Sequence, residues 1–274
     1  MGHKKTSMYE LEYVKKRKRR KAVAIAAGIS AVVVTSLAIV AFLGRFVGTF
    51  TVSLKTRDVE LSLSEKSAFT NRSSFLRVNN VAPFHEFTYS EFEKFGDTVI
   101  DSESSSLTLG ANYIAGSTEI ESLRFFKYTF FVKNVGQVPA KYDFSLNITD
   151  NVASVDGRSL DETLRVMIYD DGEKTVFAKR SAHPVIKPDG SVEDRSPISV
   201  SEADATDLYP FMGYAEKFES SKVVTTFSGE TIGVDELRRY TIVTWLEGFQ
   251  SDGSLPAPEG ATIKLGVEIN AYEN

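Results

Sequence analysis

Residues 262–269 read Thr-Ile-Lys-Leu-Gly-Val-Glu-Ile. Ile263, Leu265, Val267 and Ile269 alternate with Thr262, Lys264, Gly266 and Glu268, so every second side chain is apolar. A repeat of two is the pattern of a strand with one buried face; a helix would repeat every 3.6 residues. The same alternation recurs upstream in Phe50/Val52/Leu54, Val59/Leu61/Leu63, Phe144/Leu146/Ile148 and Leu164/Val166/Ile168. Phe125–Lys133 and Tyr240–Leu246 are apolar at both parities, which predicts central strands buried on both faces, with Trp245 as a core anchor.

Turn residues separate these runs. Asp171-Gly172 lies between Leu164–Tyr169 and Lys174–Lys179 and is the strongest hairpin signal in the chain. Asn134–Pro139 separates two long strands, and Asp189-Gly190 and Asp252-Gly253 mark exposed loops. Helical signals are sparse: Ser90–Glu93 and Ser201–Asp204 resemble capping boxes, and Val234–Leu237 reads as one further turn. Residues 183–218 lack periodicity and contain four prolines, which marks an irregular insertion. Roughly 9–11 strands of this kind predict a mainly β fold, a two-sheet antiparallel sandwich or jelly roll.

The N-terminal part obeys different rules. Residues 22–43 read AVAIAAGISAVVVTSLAIVAFL, 22 residues without a charge. As a helix they extend roughly 33 Å, enough for a bilayer core of about 30 Å. Lys15, Lys16, Arg17, Lys18, Arg19, Arg20 and Lys21 abut the run on one side, and only Arg45 lies near the other. Positive charge stays inside, so the expected topology is a single pass through the plasma membrane, N-terminus in the cytoplasm. The expected organisation is a basic cytoplasmic tail at 1–21, a signal anchor at 22–44 and an extracellular sandwich at 45–274. Retention of the anchor and release by signal cleavage are both open at this point.

Charge supports the division. The formal net charge is −5, yet the first 21 residues carry nine Lys/Arg against two Glu, leaving a net of −12 on the remainder. The basic cluster is read as a topology signal, not as a nucleic-acid patch.

Chemistry is hard to find. The chain has no cysteine, which excludes disulfides, a thiol nucleophile and cysteine-ligated metals. His85-Glu86-Phe87-Thr88-Tyr89 begins like a zinc-protease helix, but Tyr89 stands where the second histidine is required. No GxSxG elbow, phosphate loop or dinucleotide fingerprint occurs. No catalytic residue, cofactor or metal is expected, no nucleic-acid partner is expected, and a small-molecule ligand is left open.

Four stretches resemble a known group: Val47–Leu54 leading into VELSLSE; Phe126–Gly136; Leu164–Tyr169 followed by DDGEKTVFAKRS; and Arg239–Gly248 with the final IKLGVEI. They look like the TasA/camelysin-like exported surface proteins of Gram-positive bacteria, in particular membrane-anchored relatives. The resemblance implies a jelly-roll sandwich, display at the cell surface and, in the better-known members, assembly into biofilm-matrix fibres. It implies that an N-terminal strand can complete a neighbour's sheet, a role falling here on Thr49, Phe50, Thr51, Val52, Ser53, Leu54 and Lys55. An uncleaved anchor would tether that segment to the membrane and oppose long fibres.

The expected function is a non-catalytic cell-surface structural or adhesive module with protein partners or self-association. One alternative is an accessory subunit of a membrane or envelope complex, with Tyr209, Phe211, Met212, Tyr214 and Phe218 of the insertion as its contact. The other is a surface hydrolase or peptidase.

Overall fold

The computed structural model describes residues 45–46, 48–81, 86–87, 89, 97, 101, 103, 125–199, 213–247 and 260–273. The chain divides into two units, Met1–Phe42 and Leu43–Asn274. The first lies outside the described residues, as do the capping-box candidates Ser90–Glu93 and Ser201–Asp204 and the Asp252-Gly253 turn. Among the described residues no helix is long and apolar enough to cross a membrane.

The second unit is mainly β. In chain order its strands are β1 (Arg45–Phe46), β2 (Gly48–Thr56), β3 (Leu61–Ser64), β4 (Phe75–Val81), β5 (Glu86–Phe87), β6 (Phe125–Asn134), β7 (Ala140–Val152) and β8 (Leu164–Asp170). Then come β9 (Glu173–Ala178), β10 (Val185–Ile186), β11 (Val192–Glu193), β12 (Glu216–Lys217), β13 (Val223–Ile232), β14 (Leu237–Glu247) and β15 (Thr262–Glu273). One sheet has the order β13-β7-β15-β2-β4, with β1 also against β15. The other has the order β12-β9-β8-β14-β6-β3, with β5 also against β14, and β10 and β11 form a separate small hairpin.

The two large sheets pack face to face. Phe50 of β2 meets Phe126 of β6 at 5.2 Å between ring centroids, and Phe144 of β7 meets Tyr240 of β14 at 4.7 Å. The alternating residues Phe144, Leu146, Ile148, Ile263, Leu265, Val267 and Ile269 all point into this shared core. At one corner the sheets are joined: Leu63 and Ser73 exchange backbone hydrogen bonds of 2.8 and 3.0 Å, linking β3 to the start of β4.

The runs with apolar residues at both parities are buried on both faces, and the reason is a second layer. Trp245, Phe125, Met167, Tyr169 and Val243 face away from the central core and form a cluster with Tyr89 and Ala215, which belong to segments lying over the outside of the sheet. Trp245 is fully buried, as expected of an anchor, but it anchors this outer layer.

The Asp171-Gly172 hairpin is present. Asp170 pairs with Glu173, and both loop residues have positive φ, 47° and 99°, as a type I′ turn requires. Two expectations need correction. Val234–Leu237 is not helical: Val234–Glu236 form the tight turn from β13 to β14, with Asp235 at φ 59° and Glu236 N–H donating to Gly233 O at 3.1 Å. The sandwich is also not purely antiparallel, since β1 and β2 run parallel to β15, β5 to β14 and β12 to β9.

Candidate functional sites

Three places are candidates: the N-terminal strand, the irregular insertion, and a polar cluster under the outer layer.

Thr49–Lys55 lies within β2, an inner strand of its own sheet. It pairs in parallel with β15 from Thr51↔Gly266 to Thr56↔Ala271, and antiparallel with β4 on its other edge. Phe50, Val52 and Leu54 are buried in the central core, while Lys55 is exposed and ion-paired with Glu268. At Gly266 the missing side chain leaves room that its neighbours fill. A Cβ added there would lie 2.9 Å from Thr51 Oγ1 and 3.3 Å from Thr149 Cγ2, so a strand glycine admits the neighbouring threonine.

Of the insertion residues singled out for contact, Tyr209, Phe211 and Met212 lie outside the described residues, as do Lys15–Lys21. Tyr214 is half-buried beside two cations, with Lys187 Nζ 6.0 Å and the Arg195 guanidinium 5.6 Å from its ring centre. Phe218 packs against the central core, and its N–H donates to Ala178 O at 2.9 Å, fastening the insertion to β9. The rest is an ion-pair lattice. Glu193 is buried and accepts a fork from Arg195 at 2.8 and 2.9 Å and a third bond from Lys187 at 3.1 Å, and these donors hold its carboxyl far below the usual range. Asp194 pairs with Lys217 at 3.0 Å and Arg180 at 2.7 Å. Among the described residues of the insertion, Ile186 and Val192, register partners in the β10–β11 hairpin, are large apolar side chains left 74% and 61% exposed.

The polar cluster escaped sequence reasoning. Alternate residues of β6 and β14 turn Lys127, Thr129, Arg239 and Thr241 onto the outer face, where Asp101 meets them. Thr129 hydroxyl donates to Thr241 Oγ1 at 2.9 Å, Thr241 hydroxyl donates to Asp101 Oδ1 at 2.8 Å, and Arg239 donates to Asp101 Oδ2. Beside it Asp97 Oδ1 accepts from Lys174 at 2.8 Å and from Tyr169 hydroxyl at 2.9 Å, and the Lys174 bond holds the Asp97 carboxyl low. The legible signal was a lysine, Lys127, and a threonine, Thr129, at alternate positions of a largely apolar run.

Burial brings the Lys127 amine down to about 8; the Asp101 charge opposes that shift and Arg239 adds to it. An unfolded lysine titrates near 10.4, so between these values the unfolded chain binds more protons and stability rises with pH. Below pH 8 both states are protonated and this slope vanishes. The buried phenols act in the other direction. Burial raises Tyr128, Tyr169 and Tyr240, and lifts Tyr142 to about 12, so stability falls once unfolded tyrosines ionise above pH ~10. The expected urea-unfolding profile climbs by about 2 kcal/mol between pH 8 and 10 and then drops. Lys127→Met flattens the climb and keeps the drop; a climb that survives the substitution assigns it to another group.

Glu86 and Phe87 form β5, paired with Leu246 and Glu247. That start of the HEFTY stretch is therefore extended, whereas a zinc-protease motif needs its ligands one helical turn apart. His85 lies outside the described residues. Among the described residues no three His, Asp or Glu side chains group so as to hold a metal.

Comparison of the chain with protein-family models, with curated proteins and with solved structures gives no match.

Proposed function

We propose that the chain is a non-catalytic surface structural or adhesive module, a jelly-roll sandwich of the TasA/camelysin-like kind, held at the plasma membrane by residues 22–44. One observation carries this reading. The apolar run Ala22–Leu43, preceded by its basic cluster, ends two residues before β1, and β1 and β2 lead directly into an inner position of a sheet. A span in that position displays the sandwich on the outer face of the membrane with almost no linker.

Assembly by strand addition is the finer part of the proposal. With β2 seated in its own sheet, addition to a neighbour means exchange: β2 leaves its chain and makes the same pairs with the next one. Exchange preserves every contact, so it competes with the closed form when chains are concentrated on one surface. The exposed Ile186–Val192 pair favours a second reading, an accessory subunit that docks a partner through the β10–β11 hairpin.

One experiment addresses anchoring and exchange together. Ser53 and Glu268 are register partners across β2 and β15, and the chain has no other cysteine to interfere. Membranes are prepared from cells expressing the wild-type chain or Ser53→Cys/Glu268→Cys, and oligomers are sized in detergent. The expected result is membrane-bound protein of about 30.3 kDa per chain, with oligomers lost once the disulfide closes within one chain. Protein found wholly in the soluble fraction removes the anchor. Oligomers that persist with the intrachain disulfide formed remove strand exchange.

A further inference from the structure

β2 is the first long strand of the sandwich and β15 is the last, and they lie side by side pointing the same way. Six register pairs join them, and β1 extends the seam with Arg45↔Thr262 and Phe46↔Ile263. Tension between the start of β1 and the end of β15 drives the strands past one another along their own axes. In that geometry all the pairs carry load together, and none opens ahead of the rest. A seam pulled apart from one end instead loses one pair at a time.

Other features resist sliding. β15 is backed by β7 over twelve register pairs, from Thr262↔Val152 to Glu273↔Ala140, and β2 is backed by β4. Ser53 Oγ donates to Val267 O at 3.3 Å, Arg57 N–H donates to Ala271 O at 2.9 Å, and Lys55 pairs with Glu268. A slip of one residue would turn Phe50, Val52 and Leu54 out of the core, and a slip of two would drag the Phe50 ring past Phe126 and Tyr128. At the first pair of the β2–β15 ladder, Thr51 Oγ1 occupies the space that a side chain at Gly266 would take, so a larger residue there disturbs the seam.

We infer that the parallel β2–β15 seam is a mechanical clamp that makes the sandwich a force-bearing link for tension along the chain. The clamp rests on strand register; only the origin of the force, a pull on the N-terminal side, rests on the membrane reading above.

The full chain lacks cysteine, so introduced pairs define the pulling points uniquely. Arg45→Cys with Glu273→Cys loads the seam in shear. Arg57→Cys with Glu273→Cys grips both strands at one end and peels it. In optical tweezers at one loading rate, the shear rupture force is expected to exceed the peel force at least about twofold, because forced unfolding is governed by the barrier that each geometry meets. Equal forces overturn the clamp. Gly266→Val, with folding checked by Trp245 fluorescence, lowers the shear force toward the peel force; a folded variant that keeps the wild-type shear force overturns it too. Should valine prevent folding, Gly266→Ala serves the same comparison. A chain released from membranes that still shows the force difference loses the anchor reading and keeps the clamp; a membrane-bound chain with equal forces does the reverse.

Discussion

Phe50→Ala is expected to destabilise the sandwich by about 3–5 kcal/mol, the usual cost of truncating a fully buried phenylalanine. The ring is wholly buried and lies 5.2 Å from the Phe126 ring and 5.4 Å from that of Tyr128. Its removal leaves a hole between the two sheets that neither can close, because β2 is held on both edges. Urea unfolding of the full chain in detergent measures the loss, with the single buried tryptophan, Trp245, as the reporter. Val155→Ala, at a fully exposed loop position, is the control and stays within about 0.5 kcal/mol of wild type. A Phe50→Ala loss below about 1 kcal/mol would mean that β2 does not reside in its own core, and the clamp would go with it.

The second large effect is electrostatic. Glu247 is buried and its Oε2 accepts from Trp245 Nε1 at 2.6 Å and from Tyr89 N–H at 3.0 Å. Arg165, also buried, donates to Pro197 O at 3.1 Å and Leu164 O at 3.2 Å, and Glu247 supplies the opposing charge. Burial pulls the guanidinium down to about 10 while Glu247 works against that shift. Glu247→Ala removes an acceptor shared by two donors and leaves a buried cation without this countercharge. A buried donor left without its acceptor costs about 1–3 kcal/mol, and more where a buried charge loses its compensation. Glu247→Ala is therefore expected to lose that amount in urea unfolding, and Arg165→Met combined with Glu247→Gln to recover most of it. If Glu247→Ala and Glu247→Gln cost the same with Arg165 in place, and Arg165→Met recovers nothing, the charge is not what matters there.

Much of the fold was legible because its signals are local. The Asp171-Gly172 turn needs positive φ at two successive residues, and Asp-Gly adopts them readily, so the β8–β9 hairpin follows from two letters. The alternation in β7 and β15 reports one buried face, and the doubled apolar pattern in β6 and β14 reports two. Partner choice was not legible. Asn134–Pro139 separates two long strands, but nothing in it says that β6 and β7 belong to different sheets. Alternation says which way a side chain points but not what lies on the far side of the strand. The polar cluster failed for the same reason: Lys127, Thr129, Thr241 and Asp101 are scattered in the chain, and only the β6–β14 register brings them together.

The sequence by itself determined the strand class, the tightest turn, the doubly buried central strands and the split between a basic, apolar N-terminus and an acidic body. Each follows from residues within a few positions of one another, where backbone preference and burial pattern act directly. Only the tertiary structure decided that the first long strand lies parallel to the last, that Trp245 belongs to an outer layer, and that Glu247 and Arg165 share a buried environment. Those outcomes depend on which surfaces exclude water from one another, a property of two distant segments at once that neither segment spells out alone.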